Sequence, residues 1–74
     1  MIGQMLHWVC NSCKTEMNDS LGITKLYSVD GESPFVKVVC DRCQRVYYVH
    51  LESGETVSVY RNQSKVEEIG TCAF

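Results

Sequence analysis

Two Cys-x-x-Cys pairs constrain this chain more than any other feature. They are Cys10-Asn11-Ser12-Cys13 and Cys40-Asp41-Arg42-Cys43, separated by residues 14–39. Two cysteines three positions apart on a tight turn can both aim at one ion. Two such turns supply the four corners of a closed tetrahedral site. A lone pair has weaker meaning, because chance or a redox pair explains it. Two pairs in 74 residues point to a shared metal.

The size of the chain supports a staple of this kind. A domain this small buries only roughly 60% of the surface its unfolded chain exposes. Its core alone contributes about 3–5 kcal/mol, so metals or disulfides commonly complete such folds. The cysteine count is five, and an odd count is unlike a secreted disulfide framework. Residues 1–9 lack a basic start and a small-residue cleavage site, so they do not read as an export signal. No run reaches the ~18 apolar residues of a membrane span. The expectation is a cytoplasmic protein with reduced thiols, where paired cysteines act as metal ligands or redox groups.

Strand signals dominate the rest. Met5 to Val9 is a short apolar run ending at Cys10. Ile23 to Val29 is rich in β-branched and aromatic residues and leads into Asp30-Gly31, a hairpin signal. Ser33-Pro34 interrupts the return, so regular pairing is expected from Phe35 to Cys40. Arg45 to Leu51 follows the second Cys pair, and Glu52 to Glu55 reads as another hairpin turn. Thr56 to Arg61 alternates apolar and polar residues like a half-buried strand. Lys14 to Gly22 is polar and reads as a loop. Asn62 to Phe74 reads as a tail, with Ser64 to Ile69 as a short helix capped by Ser64 and ended by Gly70. The division is thus a domain over residues 1–61 and a tail over 62–74.

The two pairs, each on a bend between strand-like segments, resemble the knuckles of a zinc ribbon. The resemblance spans about Leu6 to Arg61 and implies a Zn2+ ion held by Cys10, Cys13, Cys40 and Cys43. The fold class it implies is small and β-rich, a zinc-ribbon-like antiparallel sheet of about five strands with two metal knuckles. Ribbon knuckles often carry glycine just after the second cysteine; Lys14 and Gln44 stand there. Iron is the other metal that takes four sulfur ligands in this geometry. Cys72 is left over as a free thiol, and His7 and His50 read as ordinary strand residues rather than substitute ligands.

Little points to catalysis. There is no Ser/His/acid set, no phosphate-binding glycine loop and no recognisable carboxylate pair. Four cysteine ligands also leave a zinc ion no open position. Net charge is −2, and four thiolates around a dication take it to about −4, which weighs against generic phosphate-backbone binding. The leading expectation is a non-enzymatic binding module, a small bacterial or phage regulator that docks on a protein such as the transcription machinery. Its contact face would combine Lys37, Arg42, Arg45, Arg61 and whichever of Tyr47 and Tyr48 is exposed, since neighbours on a strand point to opposite faces. The same patch offers a nucleic-acid-binding ribbon as the second reading. A thiol redox protein is the third.

Overall fold

The computed structural model describes residues 4–59 and 63–74. They form seven strands: β1 Gln4–Val9, β2 Glu16–Leu21, β3 Ile23–Val29, β4 Glu32–Val39, β5 Val46–His50, β6 Thr56–Val57 and β7 Val66–Ala73. Among the described residues there is no helix. None is therefore long and apolar enough to cross a membrane. The expected antiparallel, β-rich class holds, with two more strands than anticipated.

The strands make two antiparallel sheets. One is the β1-β2 hairpin, whose loop is the first Cys pair. The other has the order β6-β5-β4-β3-β7, with the second Cys pair between β4 and β5. Asp30 and Gly31, with φ of 51° and 85°, join β3 to β4 in the left-handed turn that matches strand twist. Pairing resumes across Ser33-Pro34 through a bulge, where proline's missing N–H disturbs no ladder. β4 therefore starts at Glu32 and not at Phe35.

Two expectations are corrected. The polar segment after the first Cys pair is strand β2, paired from Val9↔Glu16 to Gln4↔Leu21. Its half-buried residues Met17 and Asp19 and its buried Leu21 alternate with exposed ones. Asp19 occupies an inward position because the Trp8 indole N–H donates to its carboxylate at 2.7 Å. The anticipated helix at Ser64 to Ile69 does not form. From Val66 the chain is β7, paired along β3, with Ile69 the extra residue of a bulge beside Gly70. A six-residue helix has little to offset its nucleation cost, whereas the free edge of β3 offers a ladder. Lys65 and Asp30 tie the start of β7 to the hairpin through two 2.9 Å bonds.

Each face of the larger sheet has its own core. Val36, Val38, Tyr47 and Val49 point to one face and pack with Trp8, Leu21, Cys10 and Cys40. The small hairpin covers that face. Phe35 and Tyr48 point to the other face, where Val29 joins them and Val57, Val59 and Val66 pack around the edge. Tyr47 and Tyr48 do take opposite faces, but both are buried, at 2% and 8% exposure. The strand expected over Thr56 to Arg61 is limited to Thr56–Val57 among the described residues; Tyr60 and Arg61 lie outside them.

Candidate metal centre

Each Cys pair sits on the same backbone turn. In the first, the Cys10 N–H donates to Thr15 O at 3.0 Å and the Lys14 N–H to Cys10 O at 2.9 Å. In the second, Cys40 N–H donates to Arg45 O and Gln44 N–H to Cys40 O, at the same two distances. Lys14 and Gln44 adopt φ of 59° and 62°, the left-handed conformation for which ribbon knuckles favour glycine. The side chains change but the turn does not.

A third copy of this turn carries no cysteine. His50 N–H donates to Glu55 O at 2.8 Å, Gly54 N–H donates to His50 O at 2.7 Å, and Gly54 has φ of 78°. His50 and Ser53 stand where the two cysteines stand in the knuckles, joined by a 3.1 Å hydrogen bond. The turn is therefore a backbone unit that thiols and metal are not needed to build. It follows that Lys14→Gly should raise the melting stability of the metal-loaded chain by about 0.5–1 kcal/mol, because a side chain in the left-handed region costs about 1–2 kcal/mol and glycine's lost chain entropy returns only part. Gln44→Gly should gain less, since its Nε2 donates to Asp41 O at 2.9 Å. Thermal melts of both variants check this.

The two sheets bring the two turns together. All four Sγ atoms lie within 4.8 Å of one another. Two contacts cross between knuckles, Cys10 to Cys43 at 3.6 Å and Cys13 to Cys40 at 3.5 Å. A tetrahedron with Zn–S bonds of about 2.3 Å has edges of about 3.8 Å, so the cluster is close to the size one ion requires. All four cysteines are free of disulfides. The donor set and spacing fit a metal ion held by four thiolates. Cys10 and Cys40 are fully buried, Cys43 is half-buried and Cys13 is exposed.

Compared with known families, curated proteins and solved structures, the chain matches none. The reading of the site therefore rests on its geometry.

Cys10 has the most developed surroundings. Burial pushes its thiol up. The Cys13 and Ser12 backbone N–H groups, the Tyr47 hydroxyl and the Cys13 side chain outweigh that and bring it down to about 6. Tyr47 moves the other way. The Ser12 hydroxyl pulls it down, but burial and the neighbouring Cys10 and Cys43 sulfurs push it up beyond its ordinary value. The phenol therefore stays protonated and available as a donor. Nothing in the sequence pairs Tyr47 with Cys10, since 37 positions separate them and the hairpin must first fold over the sheet.

The other candidates are dispersed. Cys72 lies on β7 opposite Thr24, outside the four-sulfur cluster. His7 is exposed on β1, and the His50 ring rests on Phe35 at 4.8 Å. Lys37, Arg42 and Arg45 are all exposed. Among the described residues the ion pairs are Lys25–Glu68 and Lys65–Glu67, which leaves those three cations unpaired. Neither Tyr47 nor Tyr48 stands on the surface beside them, contrary to expectation. Arg61 lies outside the described residues.

Proposed function

We propose that the chain is a non-enzymatic, zinc-stabilised binding module that docks on a protein partner, a small regulator of bacterial or phage origin acting on a machine such as the transcription apparatus. The observation that carries the metal half is the convergence of four cysteine sulfurs within 4.8 Å. Zinc is favoured over iron because a tetrathiolate site between strands suits a structural ion without redox work. Four thiolates fill the coordination sphere, so the ion has no position for water or substrate. Any function must then lie on the protein surface.

The unpaired cations, Arg42 and Arg45 at the second knuckle and Lys37 on the Tyr48 face of β4, are the part of that surface best suited to an acidic partner. Burial of both tyrosines favours a protein over a nucleic acid, because single-stranded binding draws much of its energy from bases stacked on exposed aromatic rings. The test has two steps. Elemental analysis of the purified chain should find one zinc per molecule. The metal-loaded chain is then titrated against purified bacterial RNA polymerase, and separately against DNA and RNA at low salt. Binding to the polymerase that is lost in Lys37→Glu/Arg45→Glu supports the reading. A salt-dependent shift of nucleic acid without polymerase binding transfers it to the nucleic-acid alternative. Isolation of the chain as a reducible disulfide without metal transfers it to the redox alternative.

A further inference from the structure

The four sulfurs are not equivalent. Cys10 is fully buried, and its Sγ lies 3.6 Å from the Tyr47 hydroxyl. That hydroxyl lies 2.9 Å from Ser12 Oγ. Among the described residues, the side-chain partners of the Cys13, Cys40 and Cys43 sulfurs are other cysteines only. Tyr47 is 2% exposed, and its ring is held against Trp8 with centroids 5.9 Å apart. The phenol is thus fixed by packing with its hydroxyl in hydrogen-bond contact with one of the four sulfurs, that of Cys10. Ser12 and Tyr47 also line a cleft with Asn11, Arg45 and Ser58.

We propose that Tyr47 is a positioning residue of the metal centre, whose hydroxyl donates to the Cys10 thiolate and thereby sets how tightly that corner holds the ion. The proposal rests on the reading of the four cysteines as a metal site. A fully buried thiolate has lost its water, so each remaining donor counts for more than it would at the surface. With the metal bound, Cys10 carries no proton to give, and Tyr47 must be the donor in their contact. Ser12 then donates to the Tyr47 oxygen, which completes a chain Ser12 to Tyr47 to Cys10. The hydrogen bond draws electron density from the sulfur and holds it toward the ion. Outer partners of this kind commonly change metal affinity by about 10–100-fold when removed.

The experiment loads the full chain with cobalt(II), which takes tetrahedral thiolate sites and reports on the sulfurs by its charge-transfer absorption. Wild type, Tyr47→Phe and Tyr27→Phe are compared, Tyr27 being a half-buried tyrosine of the other core. Affinity is read by competition with a chromophoric chelator. Tyr47→Phe should bind about 10-fold more weakly. Its sulfur-to-cobalt band should move to lower energy, because the undressed thiolate gives up its electrons more easily. Tyr27→Phe should match wild type in both. An unchanged affinity and band in Tyr47→Phe overturns the proposal alone. Weaker binding with an unmoved band assigns Tyr47 to the fold and also overturns it. Failure of wild type to bind cobalt overturns the metal reading and this proposal with it.

Discussion

Cys40→Ser is expected to abolish stoichiometric metal binding and to unfold the chain in the same step. Cys40 is fully buried and belongs to the core that joins the small hairpin to the larger sheet. Serine removes a sulfur donor and leaves a hydroxyl among Val36, Val38 and Trp8. Metal binding to a four-thiolate site is worth on the order of 10 kcal/mol of folding free energy. The hydrophobic core of a chain this size contributes only about 3–5 kcal/mol. The second figure does not replace the first, so folding and metal binding should be lost together. Circular dichroism of the variant should show loss of the strand signal, and a strong chelator should produce the same change in wild type. Cys72→Ser is the matched control, because Cys72 lies outside the cluster on β7. It should bind one ion and melt like wild type. A Cys40→Ser chain that melts like wild type in chelator would remove the metal from the account of the fold.

The four-cysteine cluster was the most legible part of the sequence because its information is local. Each knuckle occupies six residues, and the hydrogen bonds that define it run from Cys10 to Thr15 and from Cys40 to Arg45. The spacing also survives a change of side chains, as Lys14 and Gln44 show. β4, β5 and the Asp30-Gly31 turn were legible for the same reason. What escaped was set by partners far along the chain. β2 reads as polar because Asp19 fills an inward position, and only Trp8, eleven residues away across the hairpin, makes that position acceptable. β7 has Glu67 and Glu68 where a strand signal would need apolar residues. Glu68 is matched by Lys25 on β3, a pairing that exists only once β7 has docked on β3. The tyrosine pair shows the same limit. Alternation placed Tyr47 and Tyr48 on opposite faces correctly, but it could not show that both faces would be covered.

The larger consequence of that long-range packing concerns Trp8. Trp8→Ala should lower the stability of the metal-loaded chain by about 3–5 kcal/mol, the usual cost of truncating a buried aromatic residue. In a domain of this length that corresponds to a fall in melting temperature of about 12–40 °C. Three contacts are lost together. The ring leaves the core it shares with Val36, Val38 and Val49. Tyr47 loses the neighbour that holds its ring. Asp19 loses its 2.7 Å donor and is left half-buried. Because Cys10 and Cys13 follow directly on β1, loosening the hairpin also loosens half the metal site, so metal affinity should fall with the melting temperature. Trp8→Phe separates the contributions. It keeps most of the apolar contact and removes the N–H, at a cost of about 1–2 kcal/mol for the orphaned carboxylate. If Trp8→Phe falls as far as Trp8→Ala, the indole hydrogen bond and not the packing holds the hairpin down. If Trp8→Ala scarcely moves the melt, the two sheets are joined by the metal alone, and the shared core contributes little to bringing the knuckles together.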